Sequence, residues 1–314
     1  MINFQALWGS PLLRRWRNIA RILVIVASFG LMIYALHSSV SSLDLSSLRP
    51  DFFSLVAAIF LTYSAVWLGA LAWGWMVHTV FPNISIISAV YQHLYSLSTK
   101  YIPGWGWQQV SKAAQLRQQG IPVLDSGILS FVDLGMVTSS GIATALLIAC
   151  SNPGAISEFG VSYDVRQLFL VAALLIYLSA PLVIAHLKPS LLEALHKHRN
   201  WLLQLYGIEL VQSAGWIMFG IGFWFTCNSV VPIQWAAMST FIIALIASVV
   251  AGIIIIFVPN GIGVREVIMS VMILPIIPPP MSITLAFMSR IILVFSEFLG
   301  FLSIFVIKIS RRFY

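Results

Sequence analysis

Uninterrupted apolar runs recur along the chain, at 19–37, 52–79, 126–150, 167–187, 202–226, 235–258 and 281–307. Each is close to the roughly 20 apolar residues that a helix needs to cross the hydrocarbon core of a bilayer. A shorter apolar stretch covers 264–277. The runs are continuous rather than alternating, so they spell helices and not the strands of a barrel. Composition agrees. Only 9% of the 314 residues are charged, against roughly 25% in an ordinary soluble domain, and so little charge could not cover a soluble surface. The predicted fold class is all-α. It is a polytopic integral membrane protein of about eight transmembrane helices, forming one membrane domain over 1–314.

Basic residues set the predicted orientation. Arg14, Arg15, Arg17 and Arg21 precede or open the first run; Lys100, Lys112 and Arg117 fall between the second and third. Lys188, Lys197 and Arg199 follow the fourth, and Lys308, Arg311 and Arg312 close the chain. Placing these on one side leaves Arg49 and Arg166 opposite, beside Asp44, Asp51, Glu158 and Asp164. The positive-inside rule then puts both termini in the cytoplasm, which requires an even number of crossings. Counting 264–277 as a crossing gives eight. The first run reads as an uncleaved helix rather than a signal peptide, because no small-residue cleavage site follows it. The net charge of +7 therefore reflects membrane topology, and nucleic acid is not an expected partner.

Two regions break the pattern. Within 82–123, two short helical stretches flank Pro103-Gly104, as a re-entrant hairpin or an interfacial helix pair. The second break, at Pro259, precedes Gly261, Gly263 and the short run 264–277, which reads as a half-helix beginning inside the membrane. Pro103 and Pro259 sit at corresponding places in halves 1–157 and 158–314. Gly/Pro-interrupted apolar segments at matching positions point to a transporter site. Chance similarity of two Pro/Gly-rich loops is the alternative to a pseudo-repeat.

Charge inside a bilayer is costly, so intramembrane ionisable residues need partners or a polar cavity. The candidates are Asp133, Glu209, Arg265, Glu266, Arg290 and Glu297. Arg265 follows Gly261 and Gly263 at the start of the half-helix. Exposed N–H groups, the helix dipole and a guanidinium fork suit a phosphate or carboxylate; Arg265 snorkelling to headgroups while Glu266 caps the helix is the alternative. Arg290 and Glu297, seven residues apart, share a helix face. Either they form a structural ion pair, mutual or with Asp133 or Glu209, or Arg290 completes the anion site with Arg265. Asp133 and Glu209 balance an arginine, carry a proton, or make ordinary buried hydrogen bonds. Lys100 and Arg117 would attract an anionic headgroup, beside Tyr101, Trp105 and Trp107, which otherwise serve as interfacial anchors. No metal-ligand spacing, P-loop or GxSxG appears among the residues, so no cofactor and no metal are expected.

Lys100-Tyr101-Ile102-Pro103-Gly104, then Trp107-Gln108, Arg117 and Gly120, resembles the first motif of the lysylphosphatidylglycerol synthase transmembrane-region family. Pro259-Asn260-Gly261-Ile262-Gly263-Val264-Arg265-Glu266 is similar to its second motif, and Arg290 to an arginine of its final helix. Asp133 falls where the family often has an acidic residue. The resemblance covers about residue 50 to the end. Trp105-Gly106 stands where the family commonly has a basic residue, and Asn260-Gly261 where it has Gly-Gly.

The resemblance implies a flippase-like domain that moves lipids with modified headgroups, here without the soluble aminoacyl-transferase domain. The expected function is therefore translocation of a lipid with an anionic, phosphate-containing headgroup in cell-envelope lipid or glycolipid metabolism. The expected location is the cytoplasmic (inner) membrane. The bilayer and that lipid are the expected partners, with a glycosyltransferase or lipid-synthesis enzyme as a further one. The competing expectations are a membrane-embedded enzyme using Glu266 or Asp133 as general base, and a non-catalytic lipid-binding scaffold.

Overall fold

A computed structural model describes residues 50–102, 106–152, 164–186, 200–255 and 261–310. The predicted run at 19–37, Pro103, Gly104, Pro259, the connector at 188–199 and both termini lie outside the described residues. The helices are α1 (Phe52–Val80), α2 (Ile86–Leu97), α3 (Trp107–Gln118), α4 (Val123–Ser151), α5 (Asp164–His186), α6 (Trp201–Asn228), α7 (Met238–Ile254), α8 (Val264–Met272) and α9 (Met281–Ser310). No strand occurs among the described residues.

Five helices are long and apolar enough to cross a bilayer: α1, α4, α6, the stretch Trp235–Ile254 ending in α7, and α9 over Met281–Ile304. In α5 the apolar portion, Gln167–Ser179, is shorter. Its exposed residues include Leu168, Val171, Leu174, Leu175 and Leu178. Large apolar side chains contiguous on one outer face belong against lipid rather than water. The described residues are thus all-helical, and their long apolar helices are consistent with an integral membrane protein.

Both irregular regions fold as pairs of short elements. α2 and α3 are 12 residues each and are separated by a 3₁₀ turn at Ser98–Tyr101 and a left-handed Gly106. α8 has nine residues, a rise of about 14 Å, against the roughly 30 Å of a hydrocarbon core. It is a half-helix, and alone it does not cross.

α1 and α6 form the central antiparallel pair. Without water to drive apolar surfaces together, helices in lipid associate through close backbone packing, which small residues permit. Gly207, Gly215 and Gly222 supply that face of α6. A Cβ would lie 2.6 Å from Trp75 at Gly207, 3.5 Å from Leu68 at Gly215 and 2.8 Å from the Thr62 hydroxyl at Gly222. The same helix meets α7 at Gly220, where a Cβ would come within 2.7 Å of the Ile242 Cα. The pair is pinned at one end by polar bonds. Asp51 caps α1 through the Phe53 and Ser54 amides, its own N–H donates to the Ser229 carbonyl at 2.7 Å, and the Asn228 amide donates to Ser54 at 3.0 Å. The Ser54 hydroxyl bond holds the exposed Asp51 carboxyl below its usual pKa.

The Ile242 backbone cannot yield to a side chain at Gly220. Gly220→Val is therefore expected to cost about 1–3 kcal/mol of stability, the usual penalty of overpacking. Gly135→Ala, which meets nothing within 4 Å, should leave stability unchanged or raise it. Thermal unfolding of the purified protein in detergent compares the two.

Candidate functional site

The two irregular regions converge on one cavity of about 270 Å³. The 3₁₀ turn and α3 supply Lys100, Trp107 and Lys112, and α4 supplies Asp133. From α6 come Gln212 and Trp216, from α8 Arg265, and from α9 Glu297. Sequence-distant segments thus place five Lys, Arg, Asp and Glu side chains around one space inside an apolar bundle.

Two cations are matched there. Lys112 is fully buried on the face of α3 that also carries Gln109 and Leu116. Its Nζ lies 2.5 Å from the Asp133 Oδ2 and 4.4 Å from the centre of the Trp73 ring. The ammonium is held by a carboxylate on one side and a π-face on another. Lys100 pairs with Glu297, whose other oxygen accepts a 2.6 Å bond from the Tyr101 hydroxyl. This triad docks the first irregular region onto α9.

Arg265 is different. It is only 9% exposed, and it makes no ion pair or hydrogen bond among the described residues; its Nε is buried without a partner. Glycines clear its path. A Cβ on Gly252 would lie 2.7 Å from the Arg265 Nε, and one on Gly261 would lie 2.7 Å from the Gly252 Cα. Gly261 also has φ +64°, a conformation that favours glycine.

The start of α8 is arranged as a closed cap. Gly263, at φ +85°, donates its N–H to the Glu266 Oε2 at 2.7 Å, while Glu266 Oε1 lies 3.9 Å from the Arg290 Nε. The protein's own carboxylate therefore occupies that N–H. The guanidinium of Arg265, more than the helix terminus, remains for an anion. Arg290 sits with Arg265 and Glu266 on a smaller pocket beside the main cavity, whose lining among the described residues includes Arg265 but not Arg290.

Glu209 is fully buried, and the nearest polar group bonded to its carboxyl is the Ser139 hydroxyl at 3.4 Å. It does not line the cavity, but Gln212, one turn further along α6, does. Arg117 is exposed at the end of α3, away from the cavity lining. Among the described residues no three His, Cys, Asp or Glu side chains gather to hold a metal.

Lys112, His93 and Gln212 are the site residues that sequence reasoning missed. Lys112 reads as a cytoplasmic surface charge, yet it is in the interior. Its face carries a glutamine and a lysine beside one leucine, so no apolar stripe marks it as inward. His93 follows Gln92, and Gln212 stands between Glu209 and Ser213, each within an apolar stretch. Such small polar clusters in otherwise apolar runs were the available signal.

No family model matches the chain, and no curated protein does.

Removing one member of a buried pair strands the other charge. Lys112→Met and Asp133→Leu are each expected to destabilise the protein by about 3–5 kcal/mol, and the double variant by much less than their sum. A double-mutant cycle of unfolding in detergent measures the coupling; additive losses would show that the pair is not formed.

Proposed function

We propose that this protein is a lipid flippase-like transporter that moves a lipid with an anionic, phosphate-containing headgroup between bilayer leaflets. The observation that carries the reading is Arg265, a buried guanidinium without a partner among the described residues, on the wall of a cavity inside an apolar helical bundle. A charge in that position is costly unless something compensates it, and a phosphate matches a guanidinium fork in shape and sign. The cavity lies where two broken segments meet, an arrangement used by transporters. The resemblance of both segments to the lysylphosphatidylglycerol synthase transmembrane-region family supports the same reading.

In this reading the chain crosses the inner membrane about eight times, with both termini cytoplasmic. Arg117, exposed at the end of α3, draws the headgroup from the cytoplasmic surface, and Arg265 receives its phosphate. The acyl or isoprenoid tails stay in the bilayer. Arg290 orients the start of α8 through Glu266 and adds positive potential behind Arg265. Glu209, buried beside a hydroxyl, is the carboxyl suited to carrying a proton. The enzyme reading has less support, because both of its candidate bases are engaged: Asp133 by Lys112, and Glu266 by Gly263 and Arg290.

The test is transport of a fluorescent anionic phospholipid in proteoliposomes, read by accessibility of the label to a membrane-impermeant quencher. Arg265→Gln, expressed and folded normally, should slow transport at least about tenfold, the equivalent of ~1.4 kcal/mol. Wild-type rates in that variant would remove the site assignment. Headgroup modification by the wild type would favour the enzyme, and saturable lipid binding without translocation would favour the scaffold.

A further inference from the structure

The ionisable groups around the cavity also state what charge it accepts. Among the described residues its wall carries three cations, Lys100, Lys112 and Arg265, and two carboxylates, Asp133 and Glu297. Lys112 pairs with Asp133 and Lys100 with Glu297, while Glu266 and Arg290, beside Arg265 on the smaller pocket, offset each other. One positive charge is left in excess, and Arg265 carries it at the cavity wall. Within an apolar bundle an excess of either sign is screened less than it is in bulk water. A ligand with one net negative charge neutralises the cavity. A phosphomonoester, carrying roughly −1.5 to −2 at neutral pH, overshoots. A zwitterionic headgroup leaves Arg265 uncompensated at the level of net charge, and a cationic one adds to the excess.

A second set of atoms describes the rest of the headgroup. The Gln212 amide nitrogen and oxygen, the His93 Nδ1 and the Asp133 Oδ1 are all buried without a hydrogen-bond partner, on residues that line this same cavity. Buried polar atoms are ordinarily satisfied. Together they offer acceptors and at least one donor, the pattern that hydroxyl groups complement, since a hydroxyl both gives and takes. Size is compatible with a compact headgroup. About 270 Å³ corresponds to some nine water molecules at roughly 30 Å³ each. That accommodates a phosphate with one small polyol or a single sugar ring.

We propose that the cavity binds a monoanionic phosphodiester lipid whose headgroup is small, uncharged and hydroxyl-bearing, with Arg265 on the phosphate and Gln212, His93 and Asp133 on the hydroxyls. This deepens the anionic-lipid reading of the site and rests on it, but it concerns binding and does not require transport.

The test is competitive retention by the full-length protein, exchanged into detergent with an equimolar mixture of defined lipids and read by native mass spectrometry. The probes are phosphatidylglycerol, phosphatidylinositol, phosphatidylmethanol, phosphatidic acid, phosphatidylethanolamine and an aminoacylated, cationic phosphatidylglycerol. Phosphatidylglycerol and phosphatidylinositol should each be retained at least about tenfold over phosphatidic acid, phosphatidylethanolamine and the cationic lipid, a difference of ~1.4 kcal/mol. Arg265→Gln should erase that preference, and Arg265→Lys should keep part of it, which separates loss of charge from loss of fold. Phosphatidylmethanol has the same charge but no headgroup hydroxyl. Wild type should disfavour it, whereas Gln212→Leu should hold it as well as phosphatidylglycerol.

Preference for phosphatidic acid or for a zwitterionic or cationic lipid overturns the charge assignment. Equal retention of phosphatidylmethanol and phosphatidylglycerol by wild type overturns the hydroxyl assignment. Soluble glycerophosphoglycerol competing as well as the lipid overturns the assignment to a lipid and gives the site to a free phosphodiester. Retention of all probes alike overturns both this proposal and the anionic-lipid reading beneath it. Monoanion selectivity in a protein that moves no lipid in vesicles supports the binding proposal while removing the transport reading.

Discussion

Charge placed inside an apolar helical bundle must be compensated there, and that requirement organises the interior of this protein. Lys112 and Asp133 are both nearly inaccessible, and each is tolerable because the other is 2.5 Å away. Lys100 and Glu297 repeat the arrangement across 197 residues of sequence, with Tyr101 as a third member. Glu266 is shared between the Gly263 N–H and Arg290. A buried ion pair contributes modestly to stability, but stranding one of its partners is costly. These pairs consequently fix which short segment docks against which long helix.

The glycines make this possible from the other direction. In lipid there is little apolar driving force between helices, so close approach has to come from backbones that lack side chains between them. Gly207, Gly215 and Gly222 bring α6 against α1, and Gly220 brings it against α7. Gly252 and Gly261 do something more specific. They leave a channel just wide enough for the stem of Arg265, and a Cβ at Gly252 would stand within 2.7 Å of its Nε. The positive-φ turn at Gly261 and the Glu266 cap at Gly263 start α8 where the guanidinium meets the cavity. Function and packing are therefore coupled at α8, whose nine residues are too few for a span and sufficient for a support.

The long helices were legible in the sequence to within a few residues. The apolar runs at 52–79, 126–150, 202–226 and 281–307 became α1, α4, α6 and α9. Both irregular segments were legible too, because Pro and Gly interrupt hydropathy where no loop between spans is otherwise needed. The site was legible in part. Arg265, Lys100, Asp133 and Glu297 stand out as charges in or beside apolar runs, and they line one cavity. Lys112, His93 and Gln212 did not stand out. Arg290 lies beside Arg265 on the smaller pocket that both share with Glu266, but it is not among the described residues lining the main cavity.

The sequence by itself determined that this chain is helical, that it belongs with a bilayer, and where its helices break. Hydropathy is summed along the chain over about 20 residues, so it is local information and survives without a fold. Only the tertiary structure decided which cation meets which carboxylate, and so which one is left over. That outcome depends on the rotation and depth of each helix relative to its neighbours, which contacts at Gly207, Gly220 and Gly252 set. A small rotation of α3 or α8 would exchange partners, and no local property of the residues around Lys112 or Arg265 records it.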